Sequence, residues 1–306
     1  MDRIGDRVLV VVCALAGGLA VLTLVEVAYQ LITGASLSVS HFGPAFLVHT
    51  GWKPNFGVFG AGTVLYGTAV TALMAMTLAT PLGIAIALYL SMLAPRGIRA
   101  VVGPLVEMLA AIPSVILGLW GVIVLAPFVQ QHVEPGLHRV FGFIPIFGEP
   151  QTTGLSLFTA GLILTIMVVP IVASLSRDLF LTVPRELKEG AEALGATRWE
   201  VIRGVVLPTT ASGVAAATVL GLGRALGEAI AVAQVVGDGN LIHASLFQPG
   251  ATLASRIALD FQFVVSKLHT ASLFYLAVIL LVIGLVTNLI AQAIAGRFDV
   301  QRGLVR

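Results

Sequence analysis

Four ionisable residues interrupt the long apolar stretches of this chain: Glu26, Glu107, Arg224 and Glu228. A charged residue near the centre of a membrane-crossing helix costs about 2.5–3.5 kcal/mol, so such residues face a pathway or a partner. Arg224 lies near the midpoint of an apolar stretch, and Glu228 follows one turn later, about 6 Å along a helix axis. Four-residue spacing puts both on one face, within mutual reach. Two readings are open. The pair neutralises itself and fixes helix register, or the guanidinium, permanently charged and forked, receives a passing oxyanion that Glu228 keeps from binding too tightly. Glu107 sits between Pro104 and Pro113, in a helix those prolines are expected to bend. Structural and pathway roles are equally open for Glu107. Ser114, Gln234 and Asn288 either line the same route or bond to neighbouring helices. Glu26 is placed near an interface, where a carboxylate reaches water. No metal site is expected, because His132 and His138 have no supporting cysteine or carboxylate pattern.

The elements that must hold these residues are read from composition. Of 306 residues, 58% are hydrophobic and 10% charged, with a mean hydropathy of +1.01. Soluble domains carry roughly 25% charged residues, so lipid is the expected solvent. The net charge of +2 gives no nucleic-acid footprint, and a lone cysteine, Cys13, gives no disulfide framework. Arg3, Arg7 and Ala14-Leu15-Ala16 resemble a signal peptide, but the apolar run between them is too short and continues to about Leu31. Stretches long enough to cross a bilayer fall at 8–31, 62–93, 101–127, 154–176, 210–236 and 271–296. The expected class is an all-α membrane protein with six transmembrane helices.

Basic residues set the orientation. Arg3, Arg7, Arg96, Arg99, Arg177, Arg185, Lys188, Arg198, Arg203, Arg297, Arg302 and Arg306 fall on one side, against Lys53, Arg139, Arg256 and Lys267 on the other. That distribution places both termini in the cytoplasm and makes 32–61, 128–153 and 237–270 the outer segments. In the last of these, Leu253, Ile257, Leu259 and Phe261 suggest a short helix lying at the membrane surface. The chain divides into 1–61, a first helix with its outer segment, and 62–306, a core carrying a cytoplasmic loop at 177–208. Small residues Gly213, Ala217, Gly221 and Ala225 recur every four positions, a stripe suited to close helix packing.

The inner loop has its own local code. Pro184 suits a first helical position, Glu186 and Glu189 favour the positive helix end, and Leu187, Ala191 and Leu194 form one apolar stripe. Gly195 permits a left-handed turn, Thr197 and Glu200 form a capping box, and Trp199, Ile202, Val205 and Val206 belong to a second helix that Pro208 ends. The product is a helix–turn–helix elbow, which either rests on the membrane or docks a partner.

Glu189-Gly190-Ala191, Gly195, Val205, Leu207 and Pro208 resemble the EAA motif of ABC-importer permeases, with Gly190 in place of the middle alanine and Val205 in place of isoleucine. The resemblance implies a type I, MetI-like permease whose elbow inserts into an ATPase subunit. Ile112-Pro113-Ser114-Val115, Gly118-Leu119-Trp120-Gly121 and Gly221 to Glu228 further resemble the PstC-type permeases of phosphate importers, as do Trp52-Lys53-Pro54 and Ser245-Leu246-Phe247. This likeness implies a PstA-type permease partner, two PstB-type ATPases, a PstS-type phosphate-binding protein and residence in the cytoplasmic membrane. The chain has no G-x-x-x-x-G-K-[ST] loop, so ATP and Mg are expected on the ATPase partner and no cofactor on this chain. Alternatives are a permease for sulfate or molybdate, an intramembrane enzyme using Glu107 or Glu228, and a secondary transporter. The last two leave the elbow without a purpose.

Overall fold

Proline and glycine decide where the apolar stretches become helices. A computed structural model describes residues 3–297; Arg302 and Arg306, counted above for orientation, lie outside them. Helix α1 (Arg3–Phe42) continues well past the expected stop near residue 31. Nothing breaks it until Gly43, which takes a positive φ of 56° and precedes Pro44. Next come α2 (Gly62–Leu93), the short α3 (Arg96–Ala110), α4 (Ser114–Phe141) and α5 (Leu157–Thr182). The elbow helix α6 (Arg185–Ala193) leads into α7 (Arg198–Gly227), followed by α8 (Ile230–Val235), α9 (Leu253–Asp260) and α10 (Lys267–Arg297). Six of these, α1, α2, α4, α5, α7 and α10, are long and apolar enough to cross a membrane.

The third crossing is displaced from its expected position. A helix over 101–127 does not form. Instead the chain turns at Ala111, and Pro113 adopts an extended ψ of 134° and starts α4. The residue before a proline is pushed out of helical geometry, so Pro113 separates two helices where Pro104 is absorbed within one. Residues 128–141, expected in an outer loop, are therefore helical.

Pro81 and Pro170 are absorbed inside α2 and α5, whereas four other prolines follow a widened turn. A π-turn ends two residues before Pro95, Pro127, Pro135 and Pro208, at Tyr89–Leu93, Gly121–Leu125, Val129–Val133 and Ile202–Val206. A proline ring collides with the carbonyl four residues back and removes one N–H. One wide turn relieves both conflicts at Pro127, Pro135 and Pro208, where the helix continues, whereas at Ala94 and Pro95 the chain becomes extended before α3. Thus Pro208 does not end the second elbow helix, and α7 runs unbroken from the elbow to Gly227.

Helix α5 is the hub. Of its apolar window 72% is buried, against none for α1. Ala72, Ala75 and Ala79 of α2, Ile163, Val168 and Val172 of α5, and Ala225 and Leu226 of α7 form the main core with α4 and α8. The small-residue stripe does what its spacing predicts: a Cβ on Gly213 would lie 2.7 Å from Leu179, and one on Gly221 2.8 Å from Val168. A second core joins Phe46, Trp52 and Phe59 to Leu253, Leu273 and Leu276. It wedges α9 between helices, with Leu253 and Arg256 buried, so α9 is packed into the protein through one face.

Helix association in lipid rests on close packing rather than on expelling water. Gly221→Leu is therefore expected to destabilise the chain by about 1–3 kcal/mol through overpacking, read as a lower thermal midpoint in detergent. Gly17→Ala, at a position with nothing within 4 Å, should leave that midpoint unchanged or raise it.

Candidate functional site

Arg224 stands in the last turn of α7, and the helix stops three residues later. Glu228 is extended (φ −74°, ψ 114°), so the continuous helix expected over 210–236 is broken inside the apolar region. The break is locally satisfied. One Glu228 oxygen accepts from the Ala231 N–H at 3.3 Å, and the other faces Arg224 Nη2, also at 3.3 Å. The far end of α8 is tied to neighbouring segments: Ser156 N–H donates to Val235 O and Gly250 N–H to Val236 O. Each charge also sits at the helix end that favours it, the cation at the α7 C-terminus and the carboxylate before α8.

The two members of the pair differ in exposure. The Glu228 side chain is 5% exposed, the Arg224 side chain 43%. Arg224 makes the ion pair but no hydrogen bond among the described residues, so its N–H fork is open on the exposed side. A pair serving register alone would be expected to engage that fork.

Helix α8 is held against α4 at Gly118. A Cβ there would collide with Gln234 Oε1 and lie 2.8 Å from Ala231 Cα. Ser114 lies one turn before Gly118 on the same helix, half-buried, with no side-chain hydrogen bond among the described residues. The structure thus places Ser114 on the helix that supports α8 but makes no bond between it and the Arg224–Glu228 pair.

Glu107 is not in a crossing helix. It lies on α3, half exposed, and pairs with Arg177 of α5 at 2.7 Å; Arg177 also holds Asp178 at 3.0 Å. Gly103 makes room, since a Cβ there would lie 3.0 Å from an Arg177 guanidinium nitrogen. This contact ties α3 to the hub. Glu26 is exposed on α1 and accepts from Gln30.

The elbow follows its sequence code closely. Gly195 has a φ of +88°, the Thr197–Glu200 capping box is present, and the Ala196 N–H closes back to Ala191 O at 3.1 Å. Pro184 precedes the helix as its cap rather than occupying the first helical position. Lys188 donates to Phe180 O at 3.2 Å, and burial beside Arg185 pushes its amine below the usual lysine range. Phe180, Val183, Val201 and Val206 clamp the elbow to Ala87 of α2. The expected apolar stripe divides: Ala191 joins this clamp, whereas Leu187 and Leu194, the latter at 91%, are exposed, as is Trp199 of the second helix at 62%. Glu189, Gly190 and Pro208 are exposed as well, and Leu207 is half-buried.

Two polar clusters escaped the sequence reading. Glu134, in the stretch assigned to a loop, is fully buried against Ser156, the cap of α5. On the side opposite the elbow, Arg256 is buried between Asp238 at 2.9 Å and Asp260 at 3.7 Å. Trp52 Nε1 donates to Asp260 at 2.6 Å, and the Arg256 guanidinium lies over the Trp52 ring. Burial raises the Asp238 carboxyl above its ordinary value, with Arg256 opposing. The four-residue spacing of Arg256 and Asp260 was the only sequence signal, and it said nothing of Trp52, 208 positions away.

The broken helix, the open cation and the capped elbow are the features expected of an importer permease of the ABC type, and comparison with known proteins gives that class. Residues 79–300 match the family described as the binding-protein-dependent transport system inner membrane component. The phosphate transport system permease protein PstC of Mesorhizobium japonicum is 42% identical over 298 residues, covering 96% of this chain and 88% of that protein. That of Pasteurella multocida is 42% identical over 287 residues, covering 92% and 89%. Among solved structures, a bacterial alginate ABC transporter shares the fold with a TM-score of 0.64 at 17% identity, covering 97% of this chain and 99% of that one. The MetNI methionine ABC transporter does so with a TM-score of 0.51 at 21% identity, covering 77% and 94%. The chain belongs to the binding-protein-dependent transport permeases and, within them, to the PstC family.

Gly190 weakens α6 at a position where a Cβ meets nothing within 4 Å. Gly190→Ala is expected to stabilise the elbow by about 1 kcal/mol, seen as slower amide hydrogen exchange across α6. Gly195→Ala, at a positive φ, should have the opposite effect.

Proposed function

We propose that this chain is a permease subunit of an ATP-driven phosphate importer of the cytoplasmic membrane. It pairs with a PstA-type permease, takes phosphate from a PstS-type binding protein and docks two PstB-type ATPases, which hold ATP and Mg and carry out hydrolysis. The observation that carries this reading is Arg224, a cation in the apolar region whose fork is open while its counter-charge is buried. In the isolated chain that fork faces outward, as a half-pathway completed by a second permease would require. A guanidinium matches phosphate oxygens two at a time, and Glu228 lowers the net charge so that the anion leaves again.

The elbow side is the cytoplasmic side in this reading. Leu187, Leu194 and Trp199 form the exposed apolar part of the ATPase contact, and Glu189 its acidic rim. Closure of the ATPase pair moves the elbow, and the cavity beside Arg224 alternates between the two faces of the membrane.

In proteoliposomes with the assembled complex, Arg224→Ala should abolish phosphate uptake while subunits still co-purify. Arg224→Lys should remain impaired, because a point charge lacks the fork. Normal uptake by the alanine variant would remove Arg224 from the pathway. Phosphate, sulfate and molybdate in competition identify the cargo, with only phosphate expected to inhibit at low concentration. Leu194→Asp with Trp199→Asp should release the ATPases without unfolding the permease; retained ATPase would refute the docking surface.

A further inference from the structure

The apolar surface of α10 carries a polar interruption that nothing in the fold uses. Asn288 and Gln292 are exposed on a helix whose crossing window averages a hydropathy of 2.6. Their one mutual contact is a 3.4 Å hydrogen bond from Gln292 Nε2 to Asn288 Oδ1. The Asn288 amide nitrogen has no partner among the described residues. An amide turned to hydrocarbon with its hydrogen bonds unmade is costly. Polar side chains within crossing helices accordingly face a neighbouring helix or a water-filled cavity.

Here there is a cavity. Between α7 and α10 lies a cleft of about 290 Å³, lined by Ala216, Leu220 and Gly223 on one wall and Thr287, Asn288 and Gln292 on the other. That volume holds several waters, each occupying roughly 30 Å³. Small residues keep it open: a Cβ on Gly223 or Gly284 meets nothing within 4 Å. Thr287 bonds to Ile283 O in its own helix, leaving the Asn288 amide and the second Gln292 N–H as the donors open to the cleft.

Its position is the second observation. Gly223 adjoins Arg224 in the chain, and the α7 wall from Ala216 to Gly223 descends about 10 Å from there toward the elbow. On α10, Asn288 lies nine residues before Arg297, roughly 14 Å from the elbow-side end of that helix. The cleft thus occupies the interval between the mid-membrane cation and the elbow face.

We propose that this cleft is the elbow-side half of the anion pathway, and that Asn288 and Gln292 are its phosphate-contacting groups below Arg224. The proposal rests on the pathway role of Arg224 argued above. Neutral amides suit the exit half. Asn288 presents two unengaged N–H donors and Gln292, one of whose N–H groups bonds to Asn288, presents the other; neither carries a fixed charge, so the ion is guided but not held, as passage requires.

The test uses the complete complex in a Cys13→Ala background, which removes the chain's one cysteine. Asn288→Cys should react with a membrane-impermeant anionic methanethiosulfonate at least tenfold faster than Val286→Cys, which lies about 160° around α10. Saturating inorganic phosphate should slow the reaction at Asn288→Cys severalfold. Asn288→Leu with Gln292→Leu should lower phosphate uptake at least tenfold with subunit assembly unchanged. Labelling no faster than at position 286 would overturn the proposal. So would labelling that requires removal of the partner permease, which would make the cleft a seat for a partner helix, or undiminished uptake by the double leucine variant. Arg224→Ala, run in parallel, separates the two levels: loss of uptake there with normal uptake in the leucine variant refutes the cleft and leaves the Arg224 reading intact.

Discussion

A guanidinium cannot be neutralised by releasing its proton, and this single restriction organises the centre of the molecule. Once Arg224 is fixed in an apolar helix, a counter-charge must come within a few ångströms, and Glu228 supplies it. Were α7 to continue through Glu228, that carboxylate would have only Arg224 to satisfy it. The break after Gly227 gives the carboxylate a backbone partner in Ala231 and buries it. The short α8 then needs support, which α4 provides at Gly118, where only a hydrogen atom fits. Its carbonyl end needs donors, and the segments at Ser156 and Gly250 supply them. The charge pair, the helix break, the glycine contact and the paired loops are one chain of physical consequences.

That chain was only partly legible in the sequence. Four-residue spacing correctly brought Arg224 and Glu228 together, but it did so by assuming a continuous helix, whereas the helix stops at Gly227, between the two residues. Contact survives because one extended residue still leaves Glu228 within reach. The elbow was more readable, since the left-handed Gly195 and the Thr197–Glu200 box are local rules that involve fewer than ten residues. Glu107 was misplaced because Pro104 and Pro113 look alike in sequence, yet one lies within a helix and the other begins one. Glu134 and the Trp52 contact to the Arg256–Asp260 pair were missed for a different reason: Ser156 and Trp52 are distant in sequence, and no periodicity encodes them.

Proline placement shows the same limit in reverse. A rule based on a lost N–H and a steric clash predicts a stop at Pro208. The chain instead spends one wide turn, Ile202–Val206, and continues. That outcome changes the mechanics. A helix that ended at Pro208 would leave the elbow hinged to the membrane core. The observed helix joins them.

Arg224 lies 26 residues beyond Arg198 of the elbow along one continuous helix, about 39 Å. Its lower end is clamped by Val201 and Val206 within the elbow core, and its upper part packs on α5 through Gly213 and Gly221. A force on the elbow therefore has one stiff route to the cation, and the π-turn is the place on that route where backbone hydrogen bonding departs from the α pattern. A displacement of α7 against α5 would have to carry the notches at Gly213 and Gly221 past Leu179 and Val168. Such a motion moves Arg224 and the α7 wall of the neighbouring cleft together, because Ala216, Leu220 and Gly223 belong to the same rigid helix. The residue proposed to meet the anion and the surface proposed to receive it next are thus coupled by covalent geometry to the segment that a partner would push.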